Sequence, residues 1–147
     1  NNSNLIFKNF KKFKLPRIGK LLKILHDKKN QTIVICQGAD VLNEILKVKN
    51  KIETQGNISV FAGVWLNKLD NKEMNKFNNK KIILFQSSTD YGGFDSFLSK
   101  KILEQSLKIK KFKSISVRGL PKCGQNAEIL DYYGLSSNKI FTTIKKF

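Results

Sequence analysis

A chain of 147 residues with 40% hydrophobic residues has the size of one domain and enough apolar side chains for a core of its own. No apolar run approaches the roughly 20 residues of a membrane helix, and one histidine with two distant cysteines argues against a structural zinc site. The net charge of +17 indicates either a nucleic-acid or anionic-surface partner or a lysine-rich composition without functional cause. We favour composition, because lysines occupy every segment and Arg118 is the only arginine of the central and C-terminal parts. Nucleic acid and membrane are therefore not expected partners.

The first 17 residues have no clean hydrophobic period. Phe7, Phe10 and Phe13 recur every three residues among lysines, and Pro16 interrupts the pattern. This is either a short basic amphipathic helix or a linker whose aromatic side chains dock on a neighbouring domain, and the proline favours the linker. The chain begins with neither Met nor a signal-peptide pattern, which suggests a trimmed protein or a piece of a longer one. We expect residues 1–17 to be a basic linker and residues 18–147 to be the domain.

The central unit of the chain is a strand, a helix and a second strand. The β-branched run 32–37 predicts a strand buried on both faces, and residues 41–55 have the apolar spacing of an amphipathic helix with Asp40 as its N-cap. Residues 58–64 predict the second strand, and a helical connection favours a parallel pair. The apolar residues 21–25 precede a polar turn, which predicts a hairpin into the first buried strand with an antiparallel edge.

The same alternation continues to the end of the chain. Asp70 with Glu73 three residues later predicts a capping box at the start of a helix over 71–78. Further strands are predicted at 81–86 and 112–117, and further helices at 94–106, 125–133 and 138–147. The predicted fold is a three-layer α/β domain whose five-stranded sheet is mostly parallel, with one antiparallel edge strand and helices on both faces.

Ligands of open parallel sheets bind at the carboxyl ends of the strands, here in the loops 38–40, 87–93 and 119–124. The second loop is the best candidate, because its polar side chains precede a glycine pair and a helix N-terminus whose amides can hold an anion. It matches neither a phosphate-binding loop nor a dinucleotide fingerprint. Alternatively, the glycines only permit a tight turn and close packing. The candidate anion or ligand loop comprises Ser87, Ser88, Asp90, Gly92 and Gly93.

No set of residues predicts a complete catalytic machinery. His26 falls in a polar turn, Cys36 lies in a buried strand as a reduced core thiol, and Cys123 lies in an unrelated loop. Asp40 and Asp90 are either paired carboxylates at one sheet edge or helix caps. We therefore assign no catalytic, cofactor-binding or metal-binding residue.

A recognisable order and spacing links the segments 20–34, 38–56, 66–70, 92–96 and 128–140. In this order and spacing the chain resembles the C-terminal domain of the transketolase superfamily of thiamine diphosphate enzymes. The family usually has Lys-Pro-Leu-Asp where this chain has residues 67–70, and an acidic residue and a histidine before Gly-Gly where it has residues 86–88.

The resemblance implies a non-catalytic domain or subunit that supports the dimer and lines the approach to the active site. Thiamine diphosphate and a divalent metal would be held by upstream domains or a separate subunit, not by this chain. The segment 126–135 looks closest to transketolases, which move two-carbon ketol units between sugar phosphates. A deoxyxylulose-phosphate synthase and a 2-oxoacid dehydrogenase beta subunit remain alternatives, as does a stand-alone basic binding module. The expected location is cytoplasmic, or organellar if the parent carries a transit peptide.

Large apolar side chains near the predicted sheet edges indicate a contact surface, because such patches are uncommon on monomers. We expect the domain to be a monomer or weak dimer alone and to assemble stably only with the upstream region. The residues are Phe7, Phe10, Phe13, Trp65, Leu66, Tyr132, Tyr133, Phe141 and Phe147.

Overall fold

The computed structural model describes residues 13–89, 91–119 and 122–147. Most of the predicted linker, with Phe7 and Phe10, lies outside these ranges. Five strands form one sheet in the order β1-β3-β2-β4-β5. The strands are β1 (Leu22–Leu25), β2 (Thr32–Gln37), β3 (Ile58–Ala62), β4 (Lys81–Thr89) and β5 (Lys111–Val117).

The pairing of the strands confirms the predicted mixed sheet and corrects one partner. Strands β2 to β5 are joined in parallel, and β1 is the antiparallel edge strand. The predicted hairpin is wrong, because β1 pairs with β3 instead of β2. The turn after β1 passes over the start of β3, where the N–H of Asn57 donates to Asp27 Oδ2 at 2.7 Å and the N–H of Asp27 donates to Ser59 Oγ at 3.0 Å. These bonds place β1 beside β3.

Helices cover both faces of the sheet and divide the core in two. The helices are α1 (Ala39–Gln55), α2 (Asn71–Met74, continued by a 3-10 turn over Asn75–Phe77), α3 (Phe94–Glu104), α4 (Asn126–Tyr132) and α5 (Ser137–Lys146). One face packs against α1, α4 and α5, with Val34, Ile45 and Ile140 fully buried between them. The other face packs against α2 and α3, with Ile35, Phe77 and Leu98 buried there.

The structure corrects the predicted N-cap of α1 and the predicted capping box of α2, whose start at residue 71 is confirmed. Helix α1 begins after Gly38, which has a φ of 101° and whose carbonyl accepts the first helical bond from Leu42, so Asp40 lies in the first turn and is not the N-cap. A carboxylate in a first turn is still favourable to the helix dipole. Asp70 is the N-cap of α2, but its side chain makes no capping bond. Glu73 forms no capping box there; it is buried and its carboxylate accepts the N–H of Leu21 at 3.3 Å.

Candidate functional site

The crevice of this sheet lies between the carboxyl ends of β2 and β4. The two strands are neighbours in parallel register. The chain leaves β2 toward β3 on one side and leaves β4 toward β5 on the other. Connections that diverge in this way leave a crevice at the strand ends, which is where ligands of open α/β sheets bind. The predicted candidate loop therefore lies at the topological switch point.

A polar cluster occupies this crevice on the α3 face. Gln37 and Gln86 are register partners at the ends of β2 and β4. Ser88 Oγ donates to Gln37 Oε1 at 3.4 Å, and Gln86 Oε1 accepts the N–H of Asp95 at 3.1 Å. Gln86 is fully buried, and its Nε2 has no hydrogen-bond partner in the described part of the chain. The cluster thus contains an unsatisfied donor.

Each of the two glycines in the candidate loop is required at its position for a different structural reason. Gly92 has a φ of 70°, in the left-handed region that glycine adopts without strain. Gly93 is the N-cap of α3, and a Cβ on it would lie 2.8 Å from Gln86 Nε2 and 2.9 Å from Ser88 Oγ. Both glycines therefore fit the tight-turn alternative, and neither geometry depends on a ligand.

The serines of the loop pack across the crevice. A Cβ on Gly38 would collide with the side chain of Ser87, so the β2 and β4 loops touch at that point. Ser88 is bonded to β2 as described above. Asp90 lies outside the described residues, so its pairing with Asp40 stays a prediction. These contacts link the ends of β2 and β4 across the crevice. Sequence reasoning missed the two glutamines of the crevice; the signal was a polar residue ending each buried strand at the same register.

Asp95 places a carboxylate in the first turn of α3, beside the cluster. Its Oδ1 accepts the N–H of Ser96 at 2.8 Å, and its Oδ2 accepts Ser114 Oγ at 3.2 Å. A negative charge at the helix N-terminus compensates the helix dipole, which reduces the attraction of α3 for an external anion. The described residues of this cluster offer hydrogen bonds to a polar ligand, and none of them is placed for proton or acyl transfer.

An apolar pocket of about 260 Å³ lies on the other side of Gln37. Its wall includes Cys36, Leu42, Val64 and Leu66, and among the residues that the structure describes no charged side chain lines it. Burial raises the pKa of Cys36 to about 12, which keeps the thiol protonated and unreactive. A diphosphate and its divalent metal need cationic and carboxylate ligands. The pocket lining therefore does not fit thiamine diphosphate.

A histidine, an aspartate and a serine meet at the other end of the sheet, where β3 begins: His26, Asp27 and Ser59. Ser59 Oγ lies 3.5 Å from His26 Nδ1, but Ser59 is fully buried and its Oγ donates to the carbonyl of Asp27 at 3.3 Å. Hydrogen bonds from the N–H groups of Lys29 and Asn57 lower the pKa of Asp27. The aspartate thus orients the turn and not the histidine, so the cluster lacks the relay of a catalytic triad.

The described ranges hold neither a metal-binding cluster nor a membrane-spanning helix. Residues 13–89, 91–119 and 122–147 contain no group of three or more His, Cys, Asp or Glu side chains placed to hold a metal ion. Within the same ranges, no helix is long and apolar enough to cross a bilayer.

No protein-family model matches the sequence, and no curated protein matches it. Solved transketolase structures do match the fold. A split-gene transketolase, described as an inactive beta4 tetramer, superposes with a TM-score of 0.63 at 12% identity over 84% of this chain and 40% of its own. The transketolase of Campylobacter jejuni gives 0.61 at 14% identity over 91% and 20%. A transketolase mutant from Pichia stipitis gives 0.59 at 11% identity over 87% and 18%.

The chain thus spans between 18% and 40% of the length of these matched chains. At 11–14% identity the likeness concerns the fold. The agreement covers the five strands, the antiparallel edge and the helices on both faces, as the sequence resemblance implied. The chain has the fold of the transketolase C-terminal domain.

Proposed function

We propose that this chain is the non-catalytic C-terminal domain or subunit of a thiamine diphosphate-dependent, transketolase-like enzyme that acts on sugar phosphates. The carrying observation is that 84–91% of the chain superposes on three transketolases, of which it spans only a fraction. A domain that is one part of its structural relatives fits a role beside other domains. One of those relatives is itself named a split-gene transketolase.

The proposed division of labour places the cofactor outside this chain. Thiamine diphosphate and its divalent metal would bind to the upstream domains or subunit, because the described lining of the apolar pocket offers them no charged ligand. Thiamine diphosphate supplies carbanion chemistry where it is bound. The contribution of this chain is a rigid wall at the approach to the site and a surface for the dimer. The proposed location is cytoplasmic, or organellar with a transit peptide.

Exposed apolar side chains at one corner of the sheet support a contact surface. Strand β1 begins at Leu22, which pairs with Ala62 at the end of β3, so the segments flanking these residues leave the sheet at the same corner. In these segments Leu15 is 67%, Ile18 59% and Leu66 54% exposed. Exposed apolar side chains that cluster on a surface are typical of sites of contact with another domain or protein. We assign this corner to the upstream domains.

Co-expression with the coding sequence that precedes this chain tests the assignment. We expect a stable complex in sedimentation, whereas the isolated 147 residues sediment as a monomer or weak dimer because their +17 charge opposes self-association. Leu66→Ser should weaken the complex by about tenfold, since one anchor residue contributes at least about 1.4 kcal/mol. Leu103→Ser is the matched control, because Leu103 is 78% exposed on α3, away from this corner.

Two results would contradict the proposal. One is a preceding region without a pair of thiamine diphosphate-binding domains. The other is a tight dimer of the isolated chain that high salt does not change. Substrate panels with the reconstituted enzyme then distinguish a transketolase from a deoxyxylulose-phosphate synthase and from a 2-oxoacid dehydrogenase.

The stand-alone alternative is a basic module for nucleic acid or anionic surfaces, and its support is the +17 charge. A filter-binding titration against duplex and single-stranded DNA tests it. Phosphate-dominated binding to duplex DNA weakens with salt by roughly 0.9 log units per neutralised phosphate for each log unit of salt. Absence of binding at low salt eliminates this alternative.

A further inference from the structure

A second pocket, of about 300 Å³, lies along the free edge of the sheet between β5 and α4. Strand β5 is the last strand of the sheet, so one of its sides has no neighbouring strand. The pocket is lined by Lys113 and Arg118 of the β5 segment and by Tyr132 and Tyr133 at the end of α4. We call it the β5 edge pocket. Its volume lies at the lower end of the range of small-molecule sites, which begins at about 300 Å³.

Positive charge surrounds the β5 edge pocket. Lys113 and Arg118 belong to the lining, and the ammonium of Lys122 lies 5.0 Å from the centre of the Tyr132 ring. Within the described ranges, no aspartate or glutamate lines it. The neighbouring carboxylate on α4, Asp131, is engaged outside the pocket by Ser136 Oγ at 2.7 Å and by Lys139 Nζ at 2.9 Å. A second carboxylate, Asp95 on α3, accepts Ser114 Oγ at 3.2 Å from the other face of the sheet. The charged side chains of the described lining are both cations, which attract anions.

The backbone of β5 adds donors to these cations. The carbonyl of Ser114 accepts Arg118 Nη2 at 3.4 Å, so the peptide groups of residue 114 face away from β4. Peptide groups alternate along a strand, and those of Ser116 therefore face the same free edge. Ser114 and Ser116 both line the pocket. Edge N–H groups, a guanidinium fork and tyrosine hydroxyls are the donor types that bind a tetrahedral oxyanion.

We propose that the β5 edge pocket binds the phosphate group of a small phosphorylated molecule. The guanidinium of Arg118 pairs with two oxygens of the phosphate group. Lys113 and Lys122 neutralise the second negative charge of the phosphate. Tyr132, which is 62% exposed, contacts the organic part of the molecule. An acidic peptide added as a sixth strand is disfavoured. The two tyrosines close the pocket on one side, and the bond from Arg118 already uses an edge carbonyl of β5. The proposal does not depend on the enzyme assignment.

Amide NMR of the full 147-residue chain at constant ionic strength tests the proposal. Inorganic phosphate and glycerol phosphate are titrated in separate arms. We expect saturable shifts confined to residues 113–118, residue 122 and residues 132–133. Equal affinity in the two arms identifies free phosphate as the ligand, and tighter binding of glycerol phosphate identifies a phosphorylated molecule.

Matched variants separate the pocket from the general charge of the chain. Arg118→Gln should weaken binding by about tenfold or more, because a charge-assisted bidentate contact is lost. Lys113→Gln should weaken it by a smaller factor. Lys51→Gln removes the same charge from an exposed position on α1 and should leave the dissociation constant within about twofold. Equal effects of Arg118→Gln and Lys51→Gln, shifts spread over all lysines, or binding of an acidic peptide only would each overturn the proposal.

Discussion

A buried carboxylate on α1 holds the start of the last helix. Glu44 is 8% exposed, and its Oε2 accepts the N–H of Ser137, the first residue of α5, at 2.9 Å. The N-cap Ser136 makes no capping bond, because its hydroxyl donates to Asp131 instead. The other oxygen of Glu44 pairs with Lys47. Glu44 therefore supplies the acceptor that the N-terminus of α5 lacks locally.

Removing this carboxylate should cost a large part of the stability of the C-terminal helix. A hydrogen bond to a charged group contributes about 1.5–3 kcal/mol, and a carboxylate at a helix N-terminus adds about 0.3–1 kcal/mol. We expect Glu44→Ala to lower the free energy of unfolding by about 2–4 kcal/mol. At this chain length that corresponds to a decrease in Tm of about 6–13 °C. Glu44→Gln keeps an acceptor and should lose about 1 kcal/mol.

Denaturant unfolding and hydrogen exchange measure the effect. Glu53→Gln and Glu53→Ala are the controls, because Glu53 is an exposed residue of the same helix with the same charge. They should change stability by less than about 0.5 kcal/mol. Amides of α5 should exchange faster in Glu44→Ala than in the wild type. If the two positions give equal losses, Glu44 does not cap α5 and the reasoning is refuted.

Three further predictions concern the crevice, the thiols and the edge turn. Gly38→Ala should destabilise the chain by about 1–3 kcal/mol more than Gly56→Ala in denaturant unfolding, because both have positive φ but only the first meets another side chain; equal losses would contradict the contact. Burial and a pKa of about 12 protect Cys36, so a thiol reagent at neutral pH should label only Cys123 before unfolding, and rapid labelling of both refutes the buried strand. The lowered pKa of Asp27 stabilises the folded state at pH values above the ordinary carboxyl pKa of 3.8, and this stability is lost as the pH falls through the pKa of the folded state. D27N should therefore flatten the acid limb of a plot of unfolding midpoint against pH. An unchanged acid limb would count against this role of Asp27.

The sheet could be predicted from the sequence because its central strands are continuous apolar runs. Residues 32–37, 58–62 and 81–86 have buried side chains on both faces, and this pattern excludes surface strands or loops. The partner of β1 could not be predicted, because it depends on side-chain bonds between the turn at Asp27 and the start of β3. Local sequence indicated an edge strand but not its neighbour.

The candidate site was located but not resolved by the sequence. Parallel strands made the loop after β4 a candidate, and the structure places it at the switch point. The N-cap of α1 was misassigned, because Gly38 adopts a positive φ at a point where the loop packs against Ser87, a contact between distant segments. The β5 edge pocket was missed for the same reason: Arg118 and Tyr132 meet only when α4 returns to the sheet edge.

Turnover of the region encoded upstream, measured with and without this chain, tests the central claim most directly. The assay follows transfer of a two-carbon ketol unit from a ketose phosphate to an aldose phosphate in the presence of thiamine diphosphate and a divalent metal. We predict no turnover by this chain alone and full turnover only when both parts are combined. Full activity of the upstream region without this chain, or no thiamine diphosphate-dependent turnover from the combination, would contradict the account.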